Sequence, residues 1–284
     1  MSTGKRIGQS LVAIGFAIAV VPAFAQRLQK RFPVMSHPVV TLHNSRGKIV
    51  IRTWQKSEVQ VIADQKSPKM DVSAQRQGNM IVVSTRFLAG SITPAEMETD
   101  FDITVPEETE LSIHDDSGQI DVQGVLGDMT YETVGADVNL NQVTGYITVH
   151  TIGGSFTCNQ CSGGIEANSI SGAINVVGSE SSNVHARTST GNILLDSDLL
   201  PNGLYQLRDY SGEVDVFFSP SDSFDVTAVS LHGRVVNQAA LKEPARPQYD
   251  LPPFARSLFG VYNEGRARLV INSFSGTIQI RRRQ

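Results

Sequence analysis

Ser117-Gly118-Gln119-Ile120-Asp121-Val122 and Ser171-Gly172-Ala173-Ile174-Asn175-Val176 are two copies of one short unit, a small turn residue and a glycine followed by an alternating strand. Between them the glycine slot recurs at Gly127, Ala136, Gly145, Gly154 and Gly163, each nine residues after the last. The beat continues less strictly through Ser182, Gly191, Gly203, Gly212 and Asp222 to Gly233, Gly265 and Gly276, with an outlying copy at Gly47. Two residues after the anchor stand Ile120, Met129, Val138, Ile147, Phe156, Ile165, Ile174, Val184 and Ile193. Four after it stand Val122, Tyr131, Leu140, Val149, Cys158, Ala167, Val176, Ala186 and Leu195. The residues between them are mostly polar, among them Gln119, Asp121, Asn139, Thr148, Glu166 and His185, which is the period-two pattern of a strand with one buried face. A third apolar slot precedes the anchor by two, at Val125, Val134, Val143, Ile152, Cys161 and Ile170, and is expected to plug the corner where the chain turns.

Three apolar residues in nine cannot form a core alone, but stacked copies share one continuous interior. The pattern therefore predicts an all-β chain, a β-solenoid of roughly nine-residue strand units. With two units to a coil, coils would repeat every ~4.8 Å, and the stretch from Gly118 to Asp222 would form a prism roughly 30 Å long. The glycines are expected to supply positive φ at the turns. An antiparallel meander is the competing arrangement, since short connections suit hairpins. The corner slot and the lack of Asn-Gly and Asp-Gly pairs in this stretch favour coiling.

Outside the regular beat, strands are expected at 39–42, 48–53, 59–63, 71–75, 80–84 and 101–105, with a loop over 88–99. Residues 26–110 read as a less regular N-terminal β region that caps the solenoid, 111–238 as the regular repeats, and 265–284 as final strands with a basic tail. The insertion at 239–264 contains Pro244, Pro247, Pro252 and Pro253, which exclude a run of regular strand. Its aromatics Phe254, Phe259 and Tyr262 form either a lid over the core or an exposed contact surface.

Lys5 and Arg6 precede an uncharged apolar run, 11–21, followed by Pro22-Ala23-Phe24-Ala25. This has the form of a signal peptide over 1–25 with cleavage before Gln26; an uncleaved N-terminal anchor is the alternative. The run is shorter than the ~20 residues of a membrane-spanning helix. No second run of that length follows, so no transmembrane helix is expected in the mature chain, and Gln26 is not the cysteine a lipoprotein would need. The expected location is outside the cytoplasm: periplasm, cell surface or secreted. The formal charge of −4 includes Lys5 and Arg6, so the mature chain carries about −6, which argues against a nucleic-acid partner. Arg281, Arg282 and Arg283 read as a solvated tail.

The search for chemistry finds no catalytic set. Cys158 and Cys161 both fall in inward slots and read as small buried hydrophobes or as a local disulfide. A zinc site would need two further ligands that the sequence does not supply. The histidines at 37, 43, 114, 150, 185 and 232 are scattered, and His150 and His185 are expected on the surface. Asp115-Asp116 invites comparison with the paired carboxylates of a glycoside hydrolase, yet neighbours on a strand point oppositely, and solvated turn residues are the plainer reading. Gly153-Gly154-Ser155-Phe156 and Gly163-Gly164-Ile165-Glu166 lack the aspartate spacing of calcium-binding nonapeptides. No metal or cofactor is expected.

Asn44-Ser45-Arg46-Gly47-Lys48-Ile49-Val50-Ile51, then Trp54 and Val59-Gln60-Val61, Phe101-Asp102-Ile103-Thr104-Val105-Pro106, the serial Ser-Gly and Thr-Gly units and the closing Phe274-Ser275-Gly276-Thr277-Ile278-Gln279-Ile280 follow one another in this order. In that order the chain, from Asn44 to its C-terminus, resembles the bacterial "putative adhesin" domains, a family of unknown function related to adhesin-head domains. The resemblance implies a β-helix-like fold and export. The functional expectation is a non-catalytic adhesin or cell-envelope structural or binding module whose partner is an envelope glycan or protein. The alternatives are a polysaccharide-active β-helix enzyme and an envelope assembly or stress factor acting through a sheet edge.

Overall fold

The alternation of apolar and polar side chains is realised as β-strand almost throughout the computed structural model, which describes residues 26–88, 90–243, 252 and 254–283. The expected leader and Pro244, Pro247 and Pro253 lie outside the described residues. The chain begins with β1 (Gln26–Pro33), β2 (Val39–Trp54), β3 (Glu58–Gln65), β4 (Met70–Gln77), β5 (Met80–Phe87), β6 (Thr99–Pro106) and β7 (Glu110–Gln123). The regular part follows as β8 (Met129–Thr133), β9 (Asp137–Asn141), β10 (Thr144–Thr151), β11 (Phe156–Asn159), β12 (Ser162–Ser169), β13 (Ile174–Val177), β14 (Glu180–Arg187), β15 (Ile193–Asp196), β16 (Leu204–Asp209) and β17 (Glu213–Phe218). It closes with β18 (Phe224–Ser230), β19 (Arg234–Asn237), β20 (Arg256–Tyr262), β21 (Ala267–Ser273) and β22 (Thr277–Arg282). Among the described residues no helix is long and apolar enough to cross a membrane.

The fold is a β-solenoid, not a meander. Successive strands alternate between two faces, so each strand pairs in parallel with the strand two further on: Ile147 lies beside Met129 on one side and Ile165 on the other, and Phe156 lies between Val138 and Ile174. The first face runs from the N-terminal half of β2 through the N-terminal half of β7, then β8, β10, β12, β14 and β16; the second runs from the C-terminal halves of β2 and β7 through β9, β11, β13, β15 and β17. One coil is therefore two nine-residue units. Every residue of the two main inward slots, from Ile120 and Val122 to Ile193 and Leu195, is buried, and together they form one core. Burial of each aliphatic side chain contributes on the order of 1.5–3 kcal/mol.

The order of coils at the C-terminal end departs from the order in the chain. β16 and β17 pair with β21 and β22, not with β18 and β19, which lie one rung further out. The chain thus skips a rung, crosses through β20 and returns to fill the gap. β20 runs antiparallel on the outer side of β18, so part of the 239–264 insertion is regular strand after all: Arg256–Tyr262 contains no proline, and the prolines precede it. At the opposite end β1 and β3 on one face and β4 on the other also pair antiparallel. Arg27, Lys30 and Arg31 on the outermost β1 are the kind of charged edge residues that discourage further strand addition.

Several sequence expectations change at the corners. The third apolar slot is buried only in alternate units: Val125, Val143 and Cys161 are fully buried, whereas Val134, Ile152 and Ile170 are about half exposed. The cause is local backbone geometry. At the corner leading from the second face to the first, Gly124, Gln142, Gln160 and Gly178 each adopt positive φ, which breaks the pleat and turns the next side chain inward. At the other corner no positive φ precedes the slot, at Thr133, Thr151 or Ser169. There an inward polar side chain holds the turn, as where Thr151, Ser169, Thr188, Ser230 and Ser273 accept hydrogen bonds from the backbone N–H three residues later, on Gly154, Gly172, Gly191, Gly233 and Gly276. By alternation the following residue then points to solvent.

The glycines at this second corner mostly serve close approach. Gly172 does not have positive φ, but a Cβ there would run into the carbonyl oxygen of Gly154 one rung below. Gly118 (φ 136°) meets both constraints, since its Cβ would strike the Gly47 carbonyl. Ser182 is not a turn anchor: it is the extra residue of a bulge in β14, where Gly163 pairs with Ser181 and Gly164 with Asn183. Gly265 belongs to the turn between β20 and β21. The terminal arginines are not a free tail either, because Arg281 pairs with Asp215 (3.2 Å) and Arg283 with Asp196 (2.8 Å) and Asp198 (2.6 Å).

Candidate functional site

The corner with outward apolar residues also carries the chemistry. Stacking brings together residues far apart in sequence, because β7 lies in register on β2: His43 is beside His114 and Asn44 beside Asp115. The imidazoles of His43 and His114 stack at 4.7 Å. His114 Nε2 lies 2.9 Å from Glu132 Oε2 on the next rung, and His150 follows beside Glu132. Beyond the corner stand Asp116, Val134 and Ile152. Between these two rows runs a groove of about 560 Å³.

Asp115 lies beneath this groove. It is 2% exposed, which corrects the reading of Asp115-Asp116 as two solvated turn residues; Asp116 alone is exposed. Asp115 takes the inward polar position that threonine, serine or, at 209, aspartate fills in later coils. Its Oδ1 accepts from Asn44 Nδ2 (3.0 Å), and Asn44 Oδ1 accepts from Thr85 Oγ1 (3.2 Å). Burial pushes its carboxyl up to about 7; the Asn44 hydrogen bond opposes this and the Asp116 charge adds to it. Asp115 Oδ2 and His114 Nδ1 are buried with no hydrogen-bond partner among the described residues.

The same corner continues into a second groove of about 310 Å³ between β14, β16 and β21. Here Arg187 and Arg208 are side by side on adjacent rungs, and the outward corner position is held by Ser189, Tyr210 and Phe274. Tyr210 and Phe274 stack nearly parallel at 4.7 Å, and Phe274 meets His232 edge to face at 5.0 Å. His232 in turn stacks on Phe254 at 5.0 Å.

The aromatics singled out in the insertion therefore divide. Phe254 is exposed and extends this row; Phe259 is half-buried; Tyr262 packs on Phe218 and Phe224 at 5.0 and 5.2 Å as a lid on the core. Cys158 and Cys161 are joined in a disulfide, Cα–Cα 5.9 Å, with both residues buried at the opposite corner. His150 is exposed and His185 partly so. Among the described residues no group of three or more His, Cys, Asp or Glu is arranged to hold a metal ion.

Sequence reading missed Arg187, Arg208, Tyr210 and Phe274 as a group. A signal for their corner exists: the pattern of Ser, Thr, Asp or Asn, an outward residue, any residue, then glycine recurs at 44–47, 115–118, 151–154, 169–172, 188–191, 209–212, 230–233 and 273–276. It marks the hydroxyl- or carboxyl-held turn and so identifies the residue that points outward.

Solved structures to which this chain is similar include a "putative adhesin" from Bacteroides fragilis NCTC 9343, at 11% identity and TM-score 0.41, covering 90% of this chain and 97% of that one. Another is a "putative adhesin" from Parabacteroides distasonis ATCC 8503, at 13% identity and TM-score 0.36, with 90% and 97% covered. No curated protein matches the sequence. Residues 32–281, nearly the whole described solenoid, match the Toastrack DUF4097 family, and the chain belongs to it.

Proposed function

We propose that this Toastrack chain is an exported, non-catalytic adhesion-type module that holds an extended cell-envelope polymer, a glycan or protein, along its chemistry-bearing corner. The observation that carries this reading is that two grooves lie along the same corner of the solenoid, one on each side of the β12 rung. Polar, charged and aromatic side chains recur there rung after rung at strand spacing of about 4.8 Å, an arrangement suited to a repeating ligand rather than to one reacting bond. The leader-like sequence at 1–25 supports export to the periplasm, cell surface or medium. Fractionation of cells expressing the full chain, followed by capture on purified envelope material, tests the proposal. Recovery outside the cytoplasm with saturable binding is expected; a cytoplasmic protein that binds no envelope component would overturn it.

A second reading, a polysaccharide-active enzyme, draws on one observation. A carboxyl pushed up to about 7 beneath a groove is the state of a general acid. The burial of Asp115 and its engagement by Asn44 favour a structural role instead. Release of new reducing ends from a polysaccharide panel, abolished in Asp115→Asn, would establish the enzyme.

A further inference from the structure

We infer that the groove between β14, β16 and β21 is a subsite for an acidic saccharide, with Arg187 and Arg208 taking its carboxylate and Tyr210 supporting a sugar ring. This deepens the reading of the corner as a binding surface and rests on it. Arg187 and Arg208 are exposed, directly adjacent across rungs, and have no acidic partner among the described residues. Like charges placed opposite one another oppose strand pairing, and Arg187 and Arg208 are such a cross-strand pair of cations. The nearest carboxylate in sequence, Asp209, is buried and accepts from Ser273 Oγ (3.2 Å) and the Ser211 N–H (3.2 Å). Two forked guanidinium groups without a counter-charge form a receptor for a carboxylate.

The neighbouring corner supplies the second element. Tyr210 is 55% exposed; Phe274 covers one side of its ring, while the preceding rung has only Ser189, which has no ring to cover the other. A pyranose can lay its C–H face there with its carboxylate toward the arginines. A peptide fits less well. The corner carbonyls of Ser189, Tyr210 and Phe274 already accept from Ser211, Ser275 and His232, so an added chain finds no free edge for main-chain pairing.

The test is calorimetric titration of the full chain with oligogalacturonate, against a neutral cello-oligosaccharide of equal length and a polyglutamate peptide, alongside Arg187→Gln/Arg208→Gln, Tyr210→Ala and, as a control far along the solenoid, Arg86→Gln. The expected result is salt-sensitive binding of oligogalacturonate alone, weakened at least tenfold in the arginine pair, several-fold in Tyr210→Ala and unchanged in Arg86→Gln, with melting temperatures preserved. Equal binding of the neutral sugar or the peptide, or indifference to the arginine pair, would overturn the inference. Capture of envelope material without binding of oligogalacturonate would overturn this inference and leave the binding-corner reading standing; absence of both would remove the two together.

Discussion

At one corner of the coil Val125, Val143 and Cys161 are fully buried; at the other Val134, Ile152 and Ile170 are about half exposed, although all six occupy the same slot of the repeat. The difference is one residue's backbone. A positive φ at Gly124, Gln142 or Gln160 reverses the pleat and turns the next side chain into the core, whereas an unbroken pleat with an inward serine or threonine leaves it in solvent. A nine-residue sequence repeat thus becomes an eighteen-residue structural repeat with one sealed corner and one open corner. The open corner is where histidines, arginines and aromatics gather.

Several substitutions would break or sharpen this contrast. Ile174→Asp strikes the core that both corners share and places a charge at a fully buried position. It should cost more than about 4 kcal/mol, read as loss of a cooperative unfolding transition. Ile174→Val should cost only about 1 kcal/mol.

Asp115→Asn probes the polar member that holds the open corner. A carboxyl held at about 7 in the folded protein but near its ordinary 3.8 when unfolded favours the fold fully below pH ~4. That contribution is lost as pH rises through 7. At about 1.4 kcal/mol per unit, the wild type should lose up to about 4 kcal/mol relative to Asp115→Asn between pH 4 and 8. Denaturant midpoints across that range check it, and parallel curves for the two proteins would refute the buried-acid account.

Val143→Ser and Ile152→Ser compare the corners directly. The first should cost about 2 to 3 kcal/mol and the second within about 0.5 kcal/mol; equal losses would mean that the exposed ladder is structural. The smallest effect is expected for Gln142→Gly, which removes the strain of a non-glycine residue at φ 53° and should change thermal stability by no more than about 1 kcal/mol, in the stabilising direction.

The two main inward slots were legible in the sequence because period-two alternation and burial are the same fact seen twice: every residue of those two slots from Ile120 to Leu195 is buried. The split of the third slot was not, since Gln142 and Gln160 carry no mark of positive φ as a glycine would. Nor was the skipped rung. β18 and β21 both alternate and both end in serine, an outward residue and a glycine two further on, so either could stack on β16 by local pattern; what distinguishes them is that β20 must cover the outer edge of the last coil. Proline density from 244 to 253 obscured the strand that begins at Arg256.

The site was hidden for a related reason. His43 and His114 are joined by stacking across seventy-one residues, and Arg187 and Arg208 by one coil of twenty-one. Neither spacing is a nine-residue multiple that counting along the repeat would find.

The claim that one corner binds while the other only holds the fold is tested most directly by measuring saturable binding of purified envelope material alongside thermal unfolding in two variants. Ile152→Ser/Tyr210→Ala alters the open corner, and Val143→Ala alters the sealed one. The account predicts at least tenfold weaker binding with an unchanged melting temperature for the first, and unchanged binding with a lowered melting temperature for the second. Full binding by the open-corner variant, or a binding defect confined to Val143→Ala below its melting temperature, would contradict it.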